Sequence, residues 1–266
     1  MSARWIGLRS QAESDSITPL SGRTVTAAVA IIGNEVLSGR TQDTNLRDIA
    51  TTIGGWGIRV VEARVIPDIE ETIVTVVNEL RARHDYVFTT GGIGPTHDDI
   101  TAVCIAKAFG VKLVEHPDIA AIIRRREAPP DVMTARLRMA LVPEGAGLID
   151  NPTGGPQGFF IGNVYVLAGI PTVMRAMLGS LATALRGGPV VHSRSVSAYV
   201  GESAIAKSLS QIQTEHPDVE LGSYPFTREG RYGTVLVSRG TDERQLEAVV
   251  EKIRSMLAAA RADVID

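Results

Sequence analysis

One cysteine, Cys104, occurs in 266 residues. A single thiol excludes an intramolecular disulfide and any multi-cysteine metal site. It falls on the apolar stripe of an expected helix and reads as a small core residue, not a nucleophile. Excess positive charge is lacking too: 27 Lys and Arg face 30 Asp and Glu, for a net charge of −3. No strong basic field is available, so nucleic acid is not an expected partner. No apolar stretch runs uninterrupted for the ~20 residues that a bilayer requires, so no membrane association is expected. Residues 1–22 show no secretory pattern; they are polar, broken by Ser, Gln, Asp and Pro, and read as a flexible leader in which Trp5, Ile6 and Leu8 can dock locally. A cytoplasmic location follows as the expectation.

Several catalytic signatures are missing as well. There is no G-x-x-x-x-G-K-[ST] and no G-x-S-x-G. Gly92-x-Gly94 lacks the third glycine of a dinucleotide fingerprint. The histidines are scattered without an H-x-x-x-H pair, and only His97 lies in a chemically suggestive loop.

What is present centres on residues 86–101, YVFTTGGIGPTHDDIT. Tyr86, Val87 and Phe88 suit a buried strand that Thr89 and Thr90 close. Gly91, Gly92, Gly94 and Pro95 force a tight turn. From Ile100 to Phe109 the apolar spacing is helical. A strand, a glycine turn and a helix start together expose backbone N–H groups at a positive helix end, which binds anions. Asp98 and Asp99 sit awkwardly in such a cradle. Either a divalent cation lies between them and a phosphate, or an aspartate accepts hydrogen bonds from an amino-substituted heterocycle such as a pterin. The bland alternative is that one of them caps the helix; one cap is expected, but two acids plus His97 exceed what a cap needs.

The order of elements predicts the fold. Residues 24–33 form a continuous run of small and β-branched residues, fit for a central parallel strand. Gly33 and Glu35 end it, and Asp43 or Thr44 can cap a helix carrying Asn45. For Glu35 and Asn45, ligand contact competes evenly with a turn residue and a solvated helix face. Residues 58–66 are a second strand. Asp68 and Glu71 make a D-x-x-E capping box before a helical stripe, and Asp68 lies on the same strand edge as Asp99. β-α-β-α-β-α with short loops implies a mostly parallel sheet with helices on both faces. A short strand is expected over 111–114, with helices over 117–127 and 131–141. Arg124, Arg125, Arg126, Arg136 and Arg138 on these helices read as a solvated or subunit face, with phosphate contact as the minority option. A strand, a second Gly/Pro loop containing Gly155, and a strand pair follow over 148–166. Pro171 opens another helix. Beyond a boundary near 186–189, the β-α-β-β-α order suggests a small α+β domain.

These segments resemble a known family. TTGGIGPTHDDIT is similar to the signature of the molybdopterin-binding domain of MoaB- and MogA-type proteins. It most resembles the branch found at the N-terminus of competence/damage-inducible protein A (CinA) and of eukaryotic FAD synthases. IIGNEVLSGRTQDTN, VIPD (65–68), NPTGGPQGF (151–159), LAGIP (167–171) and GSYPF (222–226) fall where that branch has comparable segments. Ala168 replaces a usual proline, and GGPQGF departs from G-x-A-P-G-F. The deamidase domain of CinA has no counterpart in these residues, so NMN deamidation is not carried over.

The resemblance implies a three-layer α/β/α, MogA-like domain over 23–187 and a small α+β domain over 188–266. It implies a nucleotide or pterin ligand at the strand ends, and a homo-oligomer. Asp68 and Asp99 fall on its two catalytic aspartates. The THDD form favours divalent-metal-dependent cleavage (Mg, Mn or Co) of ADP-ribose- or FAD-like pyrophosphates. Asp98 and Asp99 would hold the metal, and His97 or Asp68 would orient water. Gly33, Glu35, Asn45, Thr90, Gly91, Gly92, Gly94, Pro95, Thr96 and Gly155 would meet ligand, with Gly91, Gly92, Gly94 and Thr96 donating N–H groups to phosphate. The alternatives are molybdopterin binding with adenylyl transfer, and a non-enzymatic sensor or scaffold.

Overall fold

A computed structural model describes residues 23–265; the leader expected over 1–22 lies outside the described residues. The chain forms two compact units that divide between Pro189 and Val190, two residues beyond the expected boundary.

The first unit runs through β1 (Val25–Ile32), α1 (Asn34–Leu37), α2 (Asn45–Gly54), β2 (Ile58–Ile66), α3 (Glu70–Arg83), β3 (Tyr86–Thr90) and α4 (Thr101–Phe109). It continues with β4 (Leu113–Glu115), α5 (Pro117–Arg124), α6 (Pro130–Leu137), a 3-10 turn (Arg138–Ala140), β5 (Leu141–Pro143), β6 (Gly147–Ile149), β7 (Gly158–Ile161), β8 (Val164–Leu167) and α7 (Pro171–Ser180). Six strands make one sheet in the order β2-β1-β3-β8-β7-β6. β2, β1, β3 and β8 are parallel, and β7 and β6 add an antiparallel margin.

β1 is apolar apart from Thr26 because both of its faces are covered. Ala28, Ala30 and Ile32 pack with Ile73, Val77 and Leu80 of α3 and Cys104 and Ile105 of α4. Val25, Ala27, Val29 and Ile31 pack with Ile49 and Ile53 of α2 and Met174, Met177 and Leu178 of α7. A strand buried on both sides has no reason to alternate. Each large side chain so buried contributes about 1.5–3 kcal/mol.

Three details were not expected. β2 carries a bulge: Ala27 pairs with Val60 but Ala28 with Glu62, which leaves Val61 as the extra residue. The bulge reverses the phase of the strand. Ile58 therefore joins the α2–α7 core while Ile66, eight residues on, joins the α3–α4 core. Next, the helix expected over 131–141 is cut short. It yields to the 3-10 turn and to β5, which pairs with β4 as a separate two-stranded sheet. This small sheet roots α5 and α6 as an arm. Last, the second unit gains a strand.

That unit contains β9 (His192–Tyr199), α8 (Glu202–Glu215), β10 (Glu220–Arg228), β11 (Arg231–Gly240), α9 (Glu243–Ala259) and β12 (Asp263–Ile265). Its sheet is antiparallel in the order β10-β11-β9-β12. β12 completes a β-α-β-β-α-β unit of ferredoxin-like type. The core beneath it holds Val196, Leu236, Leu246, Val249 and Ile253. No described helix is long and apolar enough to cross a membrane.

Cys104 is fully buried, and burial pushes its thiol up to about 11. The native protein is expected to resist a thiol-reactive aromatic disulfide at neutral pH and to react stoichiometrically once denatured. Rapid labelling of the folded protein would contradict the packing of α4.

Candidate functional site

Strand order reverses at β1: the chain moves outward to β2, then crosses back to β3 on the other side. In an open α/β sheet the crevice at such a switch point, beyond the carboxyl ends of the strands, is where ligands bind. A small cleft of about 60 Å³ lies there. It is lined by Ile31 and Ile32 from β1, Glu35 and Val36 from α1, Thr41–Thr44, Asn45, Thr90, Gly91, Gly169 and Pro171.

Glycines keep it open. A Cβ on Gly91, where φ is +97°, would lie 2.1 Å from the Ile32 carbonyl oxygen, and one on Gly92, at φ +66°, would lie 2.2 Å from Thr101 Oγ1. Thr101 is fully buried at the first turn of α4. Its hydroxyl donates to Gly91 O at 3.0 Å and its amide to Gly92 O at 3.0 Å. Burying that hydroxyl without its partner would cost about 1–3 kcal/mol.

The acidic end of the loop folds back on itself. Asp99 Oδ2 accepts the Thr96 amide at 2.8 Å and faces Thr96 Oγ1 at 2.5 Å. The close return needs Gly94, whose Cβ would lie 2.6 Å from Asp99 Oδ2. Asp98 Oδ1 also approaches Thr96 Oγ1, at 2.5 Å. A hydroxyl has one proton to give, so two carboxylates compete for it. The hydrogen bond from Thr96, with help from His97 and Arg138, holds the Asp98 carboxyl below the usual range. Two expectations are corrected here. Neither aspartate caps α4, whose N-cap is Ile100 with no side-chain bond. The Thr96 amide is occupied by Asp99, so it is not free for phosphate.

Asp68 is corrected as well: it does not cap α3, whose N-cap is Ile69 with no side-chain bond. Its Oδ2 accepts the Asn34 amide at 2.9 Å, tying the β2–α3 loop to α1. Burial, and then repulsion from Glu35 and Asp98, push its carboxyl up. Charges from three separate segments, α1 and the β2–α3 and β3–α4 loops, therefore act on one another. Among the described residues no three His, Cys, Asp or Glu side chains group as a metal shell. Any cation on Asp98 and Asp99 would need substrate oxygens and water as further ligands, which is the normal habit of Mg²⁺.

Asn45 is buried, not on a solvated face. Its Nδ2 donates to Gly169 O at 2.8 Å, while Oδ1 has no partner. Thr90 Oγ1 is likewise buried and unpaired. Buried polar atoms normally find partners, so two orphans on one cleft point to a ligand's donors and acceptors. The Glu35 carboxylate lies over Gly33, 2.6 Å from where a Cβ would stand. His97 is 95% exposed and 3.9 Å from Asp98. Pro95 is half-buried within the turn. Gly155 does not line the cleft; it sits in a loop built on buried Asn151, which accepts from Thr153 and donates to Pro156 O.

The sequence reading missed Thr41, Gln42 and Gly169, and took Asp43 only as a cap. Asp43 does accept the Leu46 amide at 3.0 Å, yet it also lines the cleft. Asn151 had a legible signal, the Asn-Pro pair that opens a turn.

The family model described as a probable molybdopterin binding domain matches residues 28–187, and that of the FAD synthase middle domain matches 190–264. A protein of Archaeoglobus fulgidus is 31% identical over 85% of this chain and 95% of its own length. A CinA-like protein of Geobacter metallireducens is 32% identical over 84% of this chain and 57% of its own, so the chain spans little more than half of that relative. Among solved structures, CinA of Thermoplasma acidophilum, whose function is unknown, matches with TM-score 0.56 and 32% identity over 60% of this chain and 96% of that one.

The Asp68 shift fixes a sign. A carboxyl raised above its ordinary 3.8 favours folding when protonated. That contribution is complete below the unfolded value and is lost as pH rises through the folded value. Asp68→Asn keeps an acceptor for Asn34 and removes the charge. It should melt higher than the wild type at neutral pH, with the gap closing in acid. A lower melting temperature at neutral pH would contradict the coupling to Glu35 and Asp98.

Proposed function

The chain belongs to the family of probable molybdopterin binding domains, in its CinA-like branch, and from that premise we propose that it binds a nucleotide or pterin pyrophosphate and hydrolyses it with a divalent metal. One observation carries this reading: the cleft at the ends of β1 and β3 holds two buried polar atoms without partners, Asn45 Oδ1 and Thr90 Oγ1, and the nearby Asp68 carboxyl is raised by burial and by the charges of Glu35 and Asp98. Asn45 Oδ1, Glu35 and Asp43 are acceptors, suited to the amino edge of a heterocycle. The Gly92 and Gly94 amides have no protein acceptor among the described residues and suit phosphate oxygens.

Asp98 and Asp99 would hold the metal. Bound there, a divalent cation supplies charge neutralisation on the diphosphate and polarises its oxygens. The competition for the single Thr96 proton is the local deficit of positive charge that fits such an ion. Asp68, whose affinity for a proton is raised, accepts the proton of the attacking water. Water adds to one phosphorus, the bridging P–O bond breaks, and the departing phosphate takes the electron pair. With ADP-ribose the products are AMP and ribose 5-phosphate. His97, exposed at the loop tip, orients water less well than Asp68.

Molybdopterin binding with adenylyl transfer is the second reading. It is favoured by the family description, and it uses the same acids with a phosphate of the pterin, not water, as acceptor. A screen of nucleotide diphosphates with Mg²⁺, Mn²⁺ and Co²⁺, read by mass spectrometry, separates the two. The expected result is cleavage of ADP-ribose or FAD, reduced at least about a hundredfold by Asp99→Asn. Undiminished turnover in Asp99→Asn would remove the proposed metal role. Thr90→Val and Asn45→Leu should raise KM several-fold with a smaller effect on kcat.

A further inference from the structure

The six-stranded sheet ends on β2, which pairs with β1 alone among the described strands. An edge strand leaves a row of backbone donors and acceptors open, and proteins commonly guard such edges with lysine, proline or a covering segment. β2 reads IRVVEARVI and contains neither lysine nor proline. The Gly33 amide donates to Ile66 O at 3.1 Å, so the backbone groups of Ile66, and by alternation those of Arg64 and Glu62, face β1. Those of Ala63 and Val65 face away from the sheet.

The side chains divide in the same way. Val61 and Val65 are 49% and 41% exposed, and Ala63 between them is exposed too. Glu62 and Arg64 are half-buried; Arg64 Nε donates to Glu62 Oε1 at 2.8 Å, and its Nη1 donates to Glu79 on α3. Apolar residues at 61, 63 and 65 on an open edge suit contact with a further strand. The bulge at Val61 limits how far such a strand can run, because the residues before it are out of phase with those after it. The usable stretch is therefore 61–65.

We propose that two copies of this chain join their sheets through β2, antiparallel, about a twofold axis at Ala63. In that register Ala63 meets Ala63 of the partner subunit. Val61 faces Val65 of the partner subunit, Glu62 faces Arg64 of the partner subunit, and the axis repeats both contacts. Apolar meets apolar and each charge meets its opposite, which are the cross-strand pairs that stabilise a sheet. The neighbouring registers lose this match. An axis at Glu62 sets two carboxylates opposite each other, and an axis at Arg64 sets two guanidinium groups opposite each other. Five residues of strand bury little beside the ~1,200–2,000 Å² of a standard interface, so the dimer dissociates on dilution. The pairing depends on no assignment of the cleft.

Sedimentation velocity of the full chain over a concentration series tests it, with thermal melting as the check on folding. Ala63→Pro removes an outward N–H and leaves the ladder to β1 intact; it should weaken dimerisation at least about tenfold. Two charge variants test the register without touching the backbone. Glu62→Lys sets two cations opposite each other across the axis, and Arg64→Glu sets two carboxylates there, so each alone should sediment as a monomer. Mixed in equal amounts they restore opposite charges at both contacts, and the mixture should dimerise at concentrations where neither variant does. A monomeric wild type overturns the pairing, whichever other segment then takes the edge. A dimer that Ala63→Pro leaves intact, or a mixture no more associated than its components, overturns it as well.

Discussion

The crevice exists because β1 and β3 end in backbone packed directly on backbone. Gly91 comes so close to the Ile32 carbonyl that a methyl group there would stand 2.1 Å from its oxygen. The same residue adopts a positive φ, which turns the chain sharply away from β3. Gly92 repeats the condition against Thr101, whose hydroxyl closes on Gly91 O. The loop is therefore fastened at its root by α4 and left free at its tip. Asp98 and Asp99 hang from that tip, and the cleft is the space that the missing Cβ atoms leave.

Electrostatics at the tip is unbalanced by design of the chain itself. Asp98 and Asp99 share Thr96, while Asp68 is repelled by Glu35 and Asp98. Proteins rarely gather acids this way for stability; packing alone would favour neutral side chains at such positions. The Asn34 amide and the Thr96 hydroxyl and amide relieve part of the strain, yet these are all donors from the protein backbone or from one threonine. On the proposed function, a cation at the loop and amino donors at Asn45 Oδ1 would meet that deficit from outside.

Much of this was legible in the chain. Small and β-branched residues over 24–33 announced a central strand, and the TTGGIGPTHDD run announced the loop. Convergence of Asp68 with the acidic loop followed from strand ends sharing an edge. Other features were hidden for physical reasons. The Val61 bulge leaves no trace in composition, because valine suits either phase of a strand. Asp68 and Asp99 fit the pattern of helix caps, but both found closer backbone donors, on Asn34 and Thr96. Asn45 read as a polar helix face because its burial depends on Gly169, which is distant in sequence. β12 is three residues long and pairs with β9, far earlier in the chain, so no local periodicity betrays it.

The second unit shows how an exposed sheet edge is closed to further strands. β10 lies at the margin of its sheet, and its ladder to β11 runs from Glu220 to Arg228 without a shift. Pro225 sits inside that ladder, opposite Thr234. Lacking an N–H, it fits only where its nitrogen faces away from β11. Alternation then turns the amides of residues 221, 223 and 227 outward too. The Leu221 amide is already taken by Gln213 Oε1 at 2.9 Å, and Gln213 is itself held by Val219 O at 2.7 Å. Two of four outward positions therefore offer no donor, which makes β10 a poor template for another strand. The open face above it is equally self-contained: Arg231 stacks 3.7 Å over Tyr199 and pairs with Asp263, and Phe226 lies over Gly233. Aromatic rings and charges there engage one another, while in the first unit Asn45 Oδ1 and Thr90 Oγ1 are buried without partners. That contrast, more than any count of acids, supports placing the proposed chemistry at the carboxyl edge of β1 and β3.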